Sequence, residues 1–208
     1  MLGAHVAACV AQLDVPDQEA GVALLARSGQ ERTRAMKALV RELDSTRYHD
    51  LVVRLIGEVG EPRVLDGAQR RARKAAPDIV RRPWKKLRRE VEGLPDDPAP
   101  EDLHRVRIRA KRVRYAAEAF VPVLGPSVKE LTKPVARLQG TLGDLNDHLL
   151  AEAWLRRVAA MPGVPRNAAL VAGLLIAREQ DAAAAARARW PERWAAVQAA
   201  AEHSPVLP

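Results

Sequence analysis

The sequence of 208 residues lacks much of what sheet-rich, disulfide-bonded or membrane proteins require. Aromatic residues make up only 3% of it, and its one cysteine, Cys9, excludes an internal disulfide framework. No apolar run approaches the roughly 20 residues that cross a bilayer, and no basic leader precedes an apolar stretch at the N-terminus. These absences favour a soluble protein of the cytoplasm that does not insert into membranes.

Because aromatic residues are so few, aliphatic side chains must fill the core. Hydrophobic residues are 48% of the chain, and Ala and Leu, which favour helices, outnumber the strand-favouring residue types. Apolar periodicity between Pro, Gly and capping signals predicts about eight helices and no strand, an all-α fold of helical bundles. A helix cap is predicted at Asp44-Ser45-Thr46. Helix ends are predicted at Pro122 with Gly125-Pro126 and between Arg189 and Pro191, and the last five residues are predicted to fray.

A proline-rich segment, 93–100, predicts a linker, because it contains three prolines in eight residues. It divides the chain into an N-terminal helical half, 1–92, and a C-terminal helical bundle, 101–208. The two parts are expected to form one functional unit.

The positive charge is concentrated in one stretch. The net charge is +8, and residues 63–89 hold eleven Lys or Arg against two acids, a local charge of +9, so the rest of the chain sums to −1. Such a concentrated excess indicates a polyanionic partner more strongly than a generally basic composition does.

The segment Leu103–Phe120 predicts a helix with a cationic row beside its buried face. The buried face is formed by Leu103, Val106, Ala110, Val113, Ala117 and Phe120. The adjacent row is His104, Arg107, Lys111 and Arg114, and a third row, Arg105, Arg109 and Arg112, lies on the far side. Like charges at this spacing repel one another, so the first row indicates an anion site; a solvated charged face is the other interpretation.

His104 is a candidate for several roles. Its helical neighbours Arg107 and Lys111 would repel a metal ion, and no Ser, Cys or carboxylate has the spacing of a catalytic partner. A structural hydrogen bond and a place among phosphate-binding side chains remain open.

Two motifs carry a resemblance to a known family. The run His104-x-x-Arg107-x-x-x-Lys111-Arg112-x-Arg114-Tyr115 is followed by Gln139-x-x-Leu142-Gly143-x-x-Asn146-Asp147. Both resemble the CHAD family, the conserved histidine α-helical domain. Gly173-Leu174-Leu175 and Leu43-Asp44-Ser45-x-Arg47-Tyr48 fit the same family in the same order.

The resemblance implies two antiparallel helical bundles of the four-helix type, packed with pseudo-twofold symmetry around a basic groove. It also implies non-catalytic binding of inorganic polyphosphate and suggests an association with polyphosphate granules. Carried over to this chain, the polyphosphate-facing residues are His104, Arg107, Lys111 and Arg114, with Arg112 as a further candidate. Asp147 would orient these cations.

One departure concerns the first half of the chain. The family has two His/Arg helices, one opening each half, and no first copy is recognisable here. The expectation is therefore a first bundle that lacks one helix, with an apolar groove that a homodimer or an exchanged helix would cover.

The basic segment before the linker is predicted to form a second wall of the same anion site. Its candidate polyphosphate-binding residues are Arg70, Arg73, Lys74, Arg81, Arg82, Lys85, Lys86, Arg88 and Arg89. A solvent-facing amphipathic helix with Trp84 and Leu87 packed inward is the alternative. Trp154, Trp190 and Trp194 are likewise predicted to pack inside the bundles.

Two other functions stay open. Nonspecific nucleic-acid binding is the main alternative, because a basic segment does not distinguish a phosphodiester from a phosphoanhydride; a helical scaffold for protein interactions is the other. Sequence-specific DNA binding would need base-reading side chains on a recognition helix, and single-strand binding would need exposed aromatic residues. No Gly-rich phosphate loop, HExxH or GxSxG occurs, so no enzymatic activity, cofactor or metal is expected.

Overall fold

The computed structural model describes residues 2–62, 70–204 and 206–207, and every regular element within them is an α-helix, which confirms the all-α prediction. The helices are α1 (Leu2–Val10), α2 (Val15–Leu43), α3 (Thr46–Gly60), α4 (Ala72–Glu92), α5 (Pro100–Leu124), α6 (Pro126–Ala159) and α7 (Arg166–Glu202). The start of the predicted basic segment, 63–69, lies outside the described residues.

Local sequence signals explain where several helices begin and end. The Ser45 hydroxyl accepts a hydrogen bond from the Tyr48 amide at 3.2 Å and caps α3. Pro100 opens α5, where the Asp102 carboxylate accepts a hydrogen bond from the Ala99 amide at 2.9 Å. Gly125 separates α5 from α6 with a φ of 81°, a left-handed conformation that favours glycine.

The prolines break fewer helices than the sequence predicts. Helix α5 continues through Pro122 to Leu124, and α7 continues through Pro191, where two separate helices were predicted. Trp190 and Trp194 lie on either side of Pro191 and both pack into one core. Because this burial holds the chain on each side, it outweighs the local loss of a hydrogen bond at the proline.

The predicted linker is non-helical over residues 93–99, but it is fixed to the fold. Arg187 Nη2 lies 2.5 Å from Asp97 Oδ1 and also donates to the carbonyl of Pro98, a buried residue.

The prediction of a frayed C-terminus is wrong for Ser204, Val206 and Leu207, which are buried. Pro205 and Pro208 lie outside the described residues.

The chain forms two compact units. The first combines the N-terminal residues through α3 with Ala151–Ala177, and the second combines Arg70–Leu150 with the chain from Arg178 onward. These boundaries differ from the predicted division at the linker, because α4 packs on α5 and joins the second unit.

Each unit has its own apolar core. The core of the second unit is formed by α4, α5 and parts of α6 and α7, which bury aliphatic side chains such as Leu87, Val106 and Leu138. These side chains surround a stacked pair of rings, Trp84 and Trp194, whose centroids are 5.7 Å apart. In the first unit α1 and the beginning of α2 bury Val6 and Leu24 with Trp154. The four tryptophans thus pack inward as predicted, Trp190 only partly. None of the described helices is both long and apolar enough to cross a membrane.

Candidate anion-binding surface

Helix α5 buries the face that its sequence predicts. Leu103, Val106, Ala110, Val113 and Ala117 are buried, and Phe120 packs against the same core while partly exposed. This fixes the rotation of α5, so the row His104, Arg107, Lys111 and Arg114 must lie along the edge of the buried face. We call these four residues the α5 row.

The α5 row runs beside α6, and two α6 residues shape it. Asn146 Oδ1 lies 3.2 Å from His104 Nδ1, so an N–H at Nδ1 is the donor of this hydrogen bond. Gly143 lies opposite Arg107: a Cβ built on Gly143 would be 3.5 Å from Arg107 Nε. A Cβ would only touch the guanidinium group, but a longer side chain at position 143 would compete with it for space.

Two cations of the α5 row lack a carboxylate partner. Arg107 and Lys111 are half-buried, and no acidic oxygen from the described part of the chain lies within 4.0 Å of either charged group. The buried Nε of Arg107 also has no hydrogen-bond partner there. Two neighbouring positive charges that are partly desolvated and not neutralised by the protein form a favourable place for an anion.

Arg114, at the end of the row, is more nearly neutralised. Its Nε lies 3.2 Å from Glu118 Oε1, although this approach lacks hydrogen-bond alignment, and its guanidinium carbon lies 5.1 Å from the centre of the exposed Tyr115 ring. At the other end, a cavity of about 400 Å³ beside His104 is bounded mostly by apolar side chains such as Leu145 and Leu149. The middle of the row therefore carries its least neutralised positive charge.

The basic residues of α4 do not lie together on one wall. The buried side chains of Ala76, Val80, Trp84 and Leu87 separate two flanks of the helix. One flank brings Arg82, Lys86 and Arg89 next to Arg109 and Arg112 of α5. We call these five residues the α4–α5 cluster. Since Arg109 and Arg112 face away from the α5 row, the cluster and the row form two separate cationic surfaces.

The α4–α5 cluster borders a small cavity and has one acid, Glu90, beside it. Arg82, Lys86, Arg109 and Arg112 border a cavity of about 120 Å³ together with Pro83. Glu90 Oε2 lies 3.5 Å from Arg109 Nε, and Glu90 Oε1 accepts a hydrogen bond from Arg105 Nε at 2.9 Å. Hydrogen bonds from the Arg105 guanidinium to Glu90 and to Asp102 raise the pKa of Arg105. Arg105 thus serves the packing of α4 on α5.

The remaining predicted residues of the basic segment are either paired or exposed. Asp78 lies 3.2 Å from Arg81 and 3.9 Å from Arg70, and Arg88 lies 3.3 Å from Glu92. Arg73, Lys74 and Lys85 are exposed to solvent. What distinguishes Arg82, Lys86, Arg89 and Arg112 is that they border the cavities that Arg109 also borders, and the structure therefore brings these four together.

Sequence reasoning missed the α6 residue that contacts the row and two further polar groups on α6. Asn146, and not the expected Asp147, contacts His104; Asp147 is exposed and forms no ion pair within the described residues. Gln139 lies on the same side of α6 with its buried Oε1 lacking a partner there. His148 Nδ1 lies 2.7 Å from Oε2 of the buried Glu179. The shared motif that contains Gln139, Gly143 and Asn146 was the available signal for Asn146 and Gln139, and no motif indicated the contact between His148 and Glu179.

The chain that forms these helices matches a known protein family. The family model of the CHAD domain matches residues 2–156, about three quarters of the chain. The chain belongs to the CHAD family. The resemblance found in its motifs is thereby confirmed.

Two curated proteins and one solved structure are similar to this CHAD domain. The two curated proteins come from Mycobacterium tuberculosis, and each is 30% identical to this chain over 127 residues. They are the uncharacterized proteins MT2285 (strain CDC 1551 / Oshkosh) and Rv2226 (strain ATCC 25618 / H37Rv). That alignment covers 61% of this chain and 22% of each relative, so the CHAD domain spans about a fifth of their length. The solved structure of PptA from Streptomyces chartreusis superposes with a TM-score of 0.75 at 22% identity, covering 93% of this chain and 71% of PptA. This likeness supports the all-helical fold.

Proposed function

We propose that this CHAD domain binds inorganic polyphosphate without catalysis, through the α5 row. The observation that carries the proposal is the pair Arg107 and Lys111, which is half-buried and lacks a carboxylate within the described part of the chain. The CHAD family is linked with polyphosphate binding. A flexible chain of identical phosphate groups requires closely spaced Arg and Lys side chains on a rigid helix, and bidentate contacts from Arg suit it.

The α4–α5 cluster supports the same function as a second contact surface. It brings five basic side chains together with one acid, Glu90, beside them. A long polyphosphate chain is flexible and can bend around α5, so one ligand can occupy both surfaces. Arg82, Lys86, Arg89 and Arg112 are therefore retained as binding residues. Arg70, Arg81 and Arg88 are paired with acids, and Arg73, Lys74 and Lys85 border neither cavity of the cluster. These six residues contribute only to the surrounding positive potential.

Nonspecific binding to nucleic acid is the second candidate, favoured by the same cationic surfaces. The decisive experiment titrates the protein with long-chain polyphosphate and with a DNA duplex of equal charge at two salt concentrations. We expect tighter binding of polyphosphate at both, with affinity falling steeply as salt rises. Comparable affinity for both ligands would contradict polyphosphate specificity.

A double substitution tests the site itself. Arg107→Glu with Lys111→Glu should weaken polyphosphate binding at least about 100-fold, because two contacts are lost and two repulsions are added. The matched control is Lys129→Glu with Lys133→Glu, which makes the same charge change at the same spacing on the exposed side of α6. Circular dichroism checks that both variants remain helical. Equal loss of binding in both would mean that net charge, and not the α5 row, determines affinity.

A further inference from the structure

The second half of α2 and the whole of α3 form an arm with almost no buried surface. From Arg32 to Gly60 every residue is exposed except Ser45 and Val52, which are half-buried. Helix α3 is amphipathic, yet none of its residues is buried. Of the 18 exposed large apolar side chains found in the described chain, ten lie between Met36 and Val59. Exposed apolar surface on this scale marks an interaction site.

The arm carries two apolar faces, one on each helix. On α2 the face is a stripe with helical spacing, formed by Met36, Leu39, Val40 and Leu43. On α3 the face is formed by Tyr48, Leu51, Leu55, Ile56 and Val59. Leu39 is 50% exposed, Leu55 is 55% exposed and Val59 is 82% exposed. The two helices of one chain therefore leave each other's apolar face uncovered.

The charge of the arm indicates which partner fits it. Residues 31–61 hold six Lys or Arg and six Asp or Glu, so the arm is neutral, while the rest of the chain holds 28 basic and 20 acidic residues and carries the whole +8. A polyanion has no electrostatic reason to bind the arm. Two copies of this basic protein repel each other over most of their surface, and the neutral arm is where they can approach.

We infer that two copies of this chain associate through their arms, with α3 of each copy packed on the α2 stripe of the other. The lengths agree: α3 has 15 residues, and the stretch Gly29–Leu43 of α2 that ends with the stripe also has 15, each about 22 Å long. The exchange is symmetric, since each copy offers one α3 face and one α2 stripe. The result is a four-helix bundle made of two arms. This inference does not rest on polyphosphate binding.

Complementary charge substitutions test this specific pairing. One variant carries Met36→Glu with Val40→Glu on α2, and the other carries Leu51→Lys with Leu55→Lys on α3. We expect the native chain to be a dimer by size-exclusion chromatography with light scattering, and each variant alone to self-associate at least about 100-fold more weakly. Mixing the two variants should restore a 1:1 dimer, because one native α3–α2 contact re-forms and the other gains opposite charges.

The control substitutes exposed apolar residues outside the arm, Val22→Glu with Leu170→Glu, which are 59% and 66% exposed. This control should remain dimeric, and circular dichroism should show unchanged helicity in all variants. A native chain that is monomeric at every concentration would overturn the inference. So would variants that remain dimeric alone, or a mixture that remains monomeric.

Discussion

The guanidinium group of Arg107 lies in a space that a glycine leaves open. A Cβ at Gly143 would be 3.5 Å from Arg107 Nε and 4.0 Å from its Nη2, which is ordinary contact, but a longer side chain would have to displace the guanidinium. Gly143 lies within α6, where glycine lowers helix stability by roughly 1 kcal/mol relative to alanine. The position of Arg107 limits residue 143 to a short side chain, and the conformation of the helix does not require glycine there.

Substitution of Gly143 by leucine should therefore weaken polyphosphate binding without unfolding α6. We expect a loss of about tenfold, equivalent to one displaced charge-assisted contact. Isothermal titration calorimetry with polyphosphate measures the loss, and thermal unfolding checks stability. Gly140→Leu is the matched control, because a Cβ built on Gly140 has no atom within 4 Å. If both substitutions weaken binding equally, Gly143 has no special relation to Arg107.

At the scale of elements, one ion pair fastens α2 to α6 where the arm begins. Glu31 accepts two hydrogen bonds from Arg157, at 2.9 and 3.1 Å, and one from Trp154 Nε1 at 2.8 Å. The hydrogen bonds from Arg157 and then from Trp154 lower the pKa of Glu31 from 4.5 to about 2, and the same pair raises the pKa of Arg157. Beyond this point α2 is exposed, so Glu31 is its last firm attachment.

The lowered pKa of Glu31 predicts how stability depends on pH. The carboxylate form is the one that folding favours, so its contribution is fully present above about pH 4.5 and is lost as pH falls towards about 2. Glu31→Gln should lower the free energy of unfolding by about 1 kcal/mol at neutral pH, because solvent partly screens the pair. Urea unfolding at pH 7 and at pH 3 should show the difference between the two proteins shrinking at the lower pH. A constant difference would mean that the charge of Glu31 does not matter.

The helices themselves were largely predictable, except at prolines. The sequence predicts the buried face of α5, the cap at Ser45 and the break at Gly125 correctly, because these depend on periodicity and on turn chemistry over a few residues. It predicts a break at Pro191 that does not occur. That outcome depends on whether Trp190 and Trp194 find a core to pack against, which local sequence does not reveal.

At the scale of the whole molecule, stability depends on two separate cores. Leu87 is fully buried in the core of the second unit, next to the Trp84 and Trp194 pair. Removing a buried leucine side chain loses its transfer free energy and leaves a cavity. The same residue type on the surface carries no such cost.

Leu87→Ala should therefore lower the free energy of unfolding by about 2 to 5 kcal/mol. Leu170→Ala is the control, because Leu170 is 66% exposed and its truncation should change stability by less than about 0.5 kcal/mol. Denaturant titration followed by circular dichroism measures both. Similar small losses in the two variants would mean that the second core is looser than its packing indicates.

The sequence by itself determined the helical class, the buried face of α5, the charged row beside it and the family, because each depends on residue type and spacing along the chain. The tertiary structure decided which basic residues meet. It placed Arg82 and Lys86 beside Arg109 and Arg112, on the flank of α5 opposite Arg107 and Lys111, where the sequence predicted one site. That choice depends on the rotation and neighbours of α4, which are set by how Trp84 and Leu87 fit a core assembled from distant segments.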